Sequence, residues 1–332
     1  MSSAKITLLA SAAASWEEPA ASGSLDPIKL TLLALFGLAG VGFAIYWIVN
    51  LAAGWSSGEP DGALALDERL PGADTGPPTP LQLGIGVLTD FLDTLGIGSF
   101  ATTTALFRFL KQVPDRLIPG SLNVGHTLPT VVQAIIYTQI VKVDPITLVS
   151  MIAAAVAGAW LGAGFVSSWP KRRIQLGMGC ALLGIAAVIV VRQQFHLEKE
   201  NAPTHLEGSL LAIGVAANFV LGALMTIGIG LYAPCLVLVS LLGMDATAAF
   251  PIMMGSCALL MPVASLQFVR KRSYAPRASL GLTLGGIPAV LIAALVVKEL
   301  PLNWLKWLVV VVVTYTSLTM LRDATREPQK AN

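Results

Sequence analysis

Two short stretches combine residue types that together could hold an anion. LGIGSFATTT (95 to 104) carries Gly96 and Gly98, followed by Ser99, Thr102 and Thr103. IGIGLYAPCL (227 to 236) carries Gly228 and Gly230, followed by Tyr232 and Cys235, at a constant offset of 132 residues. Glycine destabilises a helix interior by roughly 1 kcal/mol relative to alanine, so paired glycines inside apolar runs predict interrupted helices. A helix that restarts after a break has free N–H groups and the positive end of its dipole at the break. The hydroxyls of Ser99, Thr102, Thr103 and Tyr232 would add neutral donors. Glycines that only let helices pack closely are the competing explanation.

A third stretch, IPGSLNVGHTLPTVVQ (118 to 133), places Asn123, His126 and Gln133 inside one apolar span. Offsets of 3 and 7 put Asn123, His126 and Thr130 on roughly one helix face. Ionisable groups inside a membrane mark function by default, and an unperturbed histidine titrates near neutrality. His126 could bind an anion when charged or couple transport to protons; a neutral imidazole satisfied by an interhelical hydrogen bond is the alternative. Its counterpart at the same offset is Ala258, so any function is asymmetric. Asp90 and Asp93 are expected to act as caps near a helix end or a wet cavity, leaving no fixed acid at the breaks. Cys235, and Ser256 beside Cys257 in MGSCALLMP, line the second half's equivalent segments. The thiols there are either substrate contacts or small buried hydrophobes.

The elements that must position these residues follow from the charge distribution. Of 332 residues 55% are hydrophobic and 12% charged, against about 25% charged in soluble domains. Residues 30 to 50, 146 to 170, 174 to 191, 208 to 244, 246 to 269, 278 to 297 and 307 to 321 contain no Asp, Glu, Lys or Arg. A spanning helix needs about 20 apolar residues, so the chain reads as an all-α polytopic membrane protein. It divides into an N-terminal tail (1 to 27), an extra transmembrane helix (28 to 50) and an acidic Pro/Gly-rich linker (51 to 80). Two transporter repeats (81 to 192 and 207 to 322) flank a polar hinge (193 to 206), and a short tail (323 to 332) follows.

Positive charge collects at 171 to 173, 270 to 277 and beyond 322, and the positive-inside rule places all three in the cytoplasm. The basic loops occupy non-equivalent positions in the two halves, as inverted repeats require. Each half is then expected to hold about five membrane segments, some partial or re-entrant, making 11 with the extra helix. A net charge of +2 gives no case for nucleic acid, and three cysteines inside apolar runs give none for a disulfide framework. No nucleotide-binding, zinc-binding or catalytic constellation is present. The expectation is a non-enzyme without cofactor or metal, with the lipid bilayer as a partner and a homodimer compatible.

GIGSFATTT with PGSLNVGHTLPTVVQAIIY in the first half, and GIGLYAPCLVLVSLLGM with FPIMMGSCALL in the second, resemble the TauE/SafE family of sulfite and organosulfonate exporters. The resemblance covers residues 81 to 322. Pro234 keeps a proline that family members often carry after the glycine run; Thr102 stands in the aligned place of the first half. The resemblance implies export of small sulfur-containing anions such as sulfite, sulfoacetate or related sulfonates across a bacterial inner membrane. Without a nucleotide motif, proton motive force is the natural energy source. A sulfur-handling membrane protein using Cys235 and Cys257, and a passive anion channel, are the other readings.

Overall fold

Lipid cannot satisfy free backbone N–H and C=O groups, so long uncharged runs must close their hydrogen bonds internally as helices. The computed structural model describes residues 26–57, 76–166, 202–225, 230–299 and 302–325, with scattered helical residues between 176 and 191. Among the described residues there is no strand. The helices are α1 (Pro27–Ser57), α2 (Pro80–Thr94), α3 (Ser99–Phe109), α4 (Ile118–Ile140), α5 (Pro145–Val166), α6 (Gly208–Met225), α7 (Tyr232–Leu241), α8 (Ala249–Arg270), α9 (Pro276–Glu299) and α10 (Leu302–Thr325). Four stretches among the described residues are long and apolar enough to cross a membrane: Pro27–Ala52, Gly208–Met225, Ala249–Arg270 and Pro276–Val296. Large apolar side chains project outward from them, among them Leu38 at 71% exposure and Leu295 at 67%. Such a surface suits lipid and would be a liability in water.

α1 runs to Ser57 instead of ending near 50; it carries Gly54 inside it and stops in the Ser-Ser-Gly-Glu-Pro of 56 to 60. It lies along α4 and α8, anchored by stacked Phe43 and Trp47 and by the Trp47 indole donating to the Tyr274 hydroxyl at 3.2 Å.

One order of elements occurs twice. A helix (α2, α6) stops, a short helix (α3, α7) follows, a 3₁₀ turn leads into a proline-containing helix (α4, α8), and a further helix (α5, α9) comes next. The α2 start is fixed by a capping box between Thr79 and Gln82, with Pro80 in the first turn. Loop hydrogen bonds assign the helix ends to two sides. Arg277 donates to Pro77 O and the Ala275 N–H to Ser121 Oγ, both at 2.8 Å. This gathers the α2 start, the α4 start and the 271–275 loop at one end, which is rich in arginine and lysine. At the other end the Asp144 N–H donates to Thr204 O and the Asp245 N–H to Pro203 O. The α2–α3 hairpin therefore enters from the basic end, and the α6–α7 hairpin from the opposite one.

Packing is reciprocal as well: α2 lies on α9 and α6 on α5, while α4 crosses α8. Backbones touch at these contacts. A Cβ at Gly222 of α6 would overlap the Ala155 carbonyl of α5, and one at Gly158 would overlap the Phe219 carbonyl. Close approach of this kind holds membrane helices together through van der Waals contact. Gly222→Leu is expected to destabilise the protein by about 3 kcal/mol through overpacking, seen as a lower melting temperature in detergent. Gly84→Leu on α2, where no described atom lies within 4 Å of the added Cβ, should leave it nearly unchanged.

Candidate functional site

The end of α2, the start of α3, the middle of α4 and the start of α7 converge on one buried polar cluster. Asp90 and Asp93 sit one turn apart on α2, which brings their side chains to the same face. His126 and Gln133 sit seven residues apart on α4, again on one face. His126 Nδ1 donates to Asp90 Oδ1 at 2.9 Å, and its Nε2 lies 3.0 Å from Thr103 Oγ1 on α3. With Nδ1 committed to Asp90, Nε2 accepts from Thr103 in the neutral imidazole and donates to it in the imidazolium. Asp90, His126 and Thr103 are all fully buried.

Asp93 closes the first break. The backbone N–H of Ser99, first residue of α3, donates to Asp93 Oδ1. The expectation of no fixed acid at the breaks is therefore corrected: the chain's own carboxylate occupies the buried helix N-terminus that the sequence reading offered to an anion. A carboxylate is favoured there by the same N–H donor and dipole. Gln133 Nε2 donates to Asp93 Oδ2 and lies equally close to Thr94 Oγ1, each at 3.0 Å, while its Oε1 accepts from the Tyr232 hydroxyl at 3.0 Å. Tyr232 is the first residue of α7. One glutamine thus bridges the end of α2, before the first break, and the start of α7, after the second. Tyr137 donates to the Thr94 carbonyl at 3.0 Å and stacks on Phe250, fixing the α2 end against the start of α8.

Two features of the surrounding helices accommodate this cluster. Pro129, inside α4, has no N–H to give the Gly125 carbonyl; the Thr283 hydroxyl of α9 donates to that carbonyl at 2.6 Å instead. Gly286 of α9 lies against Asp90, and a Cβ at Gly286 would overlap Asp90 Oδ2. That oxygen is buried without a hydrogen-bond partner among the described residues.

The remaining expected residues fall as follows. Gly96 (φ +92°) and Gly98 (φ +84°) form the turn of the first break, and Gly96 faces Phe250 and Met253 of α8. Thr102 is half-buried and donates back to the Ser99 carbonyl at 2.9 Å. Asn123 is turned away from the His126 cluster and donates to Pro119 O of its own helix. Ser256 is buried and donates to Ile252 O. Cys235 is fully buried among apolar neighbours, and Cys257 Sγ lies 3.7 Å from Met225 Sδ. Gly230 is exposed, and Gly228 lies outside the described residues. Sequence reasoning read Asp90 and Asp93 as caps and missed the links they make with His126 and Gln133. Two acids three apart facing a His/Gln pair seven apart was the available signal; nothing in the sequence marked Gly286. No group of three or more His, Cys, Asp or Glu able to hold a metal occurs among the described residues.

A protein of Bacillus subtilis strain 168 named "Probable membrane transporter protein YtnM" is 26% identical over 140 residues, covering 41% of this chain and 46% of that protein. The chain thus matches about half the length of that curated relative. No protein-family model and no solved structure matches.

Proposed function

We propose that the chain is a secondary transporter that moves a small anion across a bacterial inner membrane by alternating access between two inverted repeats. Sulfur oxyanions are the substrate class, sulfite and sulfoacetate before others, with export coupled to protons. The observation that carries this reading is the meeting of the α2 end and the α7 start at Gln133, with the two hairpins entering from opposite ends. Broken helices inside a membrane body are tolerated where they are buried in protein or line a cavity, and half-helix N-termini at a repeat interface suit anionic groups. The name of the Bacillus relative supports transport at the coarser level. Because Asp93 holds the Ser99 N–H, an arriving oxyanion must displace or neutralise that carboxylate, which ties anion entry to the charge of the cluster. In this reading the protein is not an enzyme, and the basic end faces the cytoplasm.

The test is a flux screen of the purified protein in liposomes with sulfite, thiosulfate, sulfoacetate, taurine and sulfate. Saturable, protein-dependent flux of sulfite or sulfoacetate is expected, faster when a pH gradient is imposed. No movement of any of the five would overturn the reading. Unsaturable flux indifferent to the gradient would replace it with a passive channel.

A further inference from the structure

The buried cluster contains more acid than base, and only one half of the molecule has it. Asp90 and Asp93 face a single imidazole, that of His126. The other elements around them offer no described lysine or arginine. α3 contributes the hydroxyl of Thr103 and the N–H of Ser99, and α9 contributes Gly286. Tyr232 of α7 and Cys257 of α8 are the further titratable groups near Asp93. With both carboxylates ionised, the cluster carries −1 when His126 is charged and −2 when it is neutral. Buried charge is costly unless it is paired and hydrogen-bonded, and Asp90 Oδ2 has neither kind of partner among the described residues. At the offset of 132, Asp90, Asp93, Thr103 and His126 correspond to Gly222, Met225, Cys235 and Ala258. Both halves interrupt a helix, but only the first is equipped to take up a proton.

We infer that the Asp90–His126 pair is the binding site of the ion that drives transport, and that this ion is a proton carried on the side of the unpartnered Asp90 oxygen. The inference rests on the transport reading above. In the step itself, a proton from water on one side joins the Asp90 carboxylate, and His126 Nδ1–H remains donated to Oδ1. The same proton leaves to water on the other side when the carboxyl is re-exposed, so one positive charge crosses and no bond but O–H is made or broken. Gly286 gives Oδ2 its place; the corresponding contact in the other half is Gly222 against the Ala155 backbone, with no side chain to titrate.

Asp90→Asn keeps the shape and a hydrogen-bonding amide but cannot exchange the proton. In liposomes assayed with radiolabelled sulfite, gradient-driven flux should fall about tenfold or more. Sulfite counterflow at equal pH on both sides needs no net proton movement, and in Asp90→Asn it should lose its dependence on the common pH, whatever its rate. Full gradient drive in Asp90→Asn overturns the inference, as does a sodium gradient replacing the pH gradient. If Asp90→Asn loses counterflow as well, infrared titration of the detergent-purified protein decides. A protonated-carboxyl band present in the unmodified protein and missing from Asp90→Asn supports the site, and its absence from the unmodified protein overturns it. Sulfite flux that ignores pH would sink the inference while leaving anion transport standing. A protein that moves no sulfite would remove the support for transport, and the infrared band would still test the proton site.

Discussion

His126→Leu is expected to destabilise the protein by about 3–5 kcal/mol, the typical cost of stranding one member of a buried charged pair. The substitution removes the only described hydrogen bond to the Asp90 side chain. It also leaves the Thr103 hydroxyl without its imidazole partner. Asp90→Leu in the same chain should recover most of that loss, because the two leucine methyls occupy the places of the two carboxylate oxygens. Replacing a buried pair by apolar groups of similar shape is often neutral. Denaturation in detergent of the two single variants and the double variant measures this directly. Losses that simply add would show that Asp90 and His126 are not energetically coupled. The double variant, although stable, should not respond to a pH gradient.

Gly98→Val is expected to abolish anion flux, and Gly230→Val is expected to spare folding. The contrast comes from backbone conformation. Gly98 holds φ +84° and ψ 129° as the residue before α3, a region that is essentially glycine-only and costs other residues about 1–3 kcal/mol. The chain would relieve that strain by shifting Ser99, whose N–H is bonded to Asp93. No described atom lies within 4 Å of a Cβ at either glycine, so crowding is not the cause at Gly98. Gly230 has no such positive φ. Liposome flux together with gel-filtration profiles in detergent separates the two effects. A Gly98→Val protein that transports normally would reduce the first break to a packing feature.

The helices were legible because the uncharged runs leave the backbone no other way to satisfy itself in lipid. The interruption near 96 to 98 was legible because glycine pairs weaken a helix wherever they fall. What filled that interruption was not. Asp93 reaches Gln133 across 40 residues of sequence, and Asp90 reaches His126 across 36; local pattern is silent about such pairings. The acids were placed at a helix end on grounds of cost, which holds for Asp93, one residue from the α2 terminus. The same argument understated Asp90, because it ignored the imidazole and the glycine that make room for it. Asn123 misled for the opposite reason. It shares a helical face with His126 by spacing, yet its short amide found the carbonyl of Pro119 one turn back.

The segment from 202 to 207 has a mechanical consequence. It is bonded to one half through Asp144 and Thr147, and to the other through Asp245. All three attachments lie at the end opposite the basic loops, while the Ala275 N–H to Ser121 Oγ and Ser279 Oγ to Ser121 O bonds tie the same halves at the basic end. The molecule is thus latched on both sides. In the proposed rocking of one half against the other, one latch has to release while the other holds, and strengthening either with a further bond between the halves would bias which side opens.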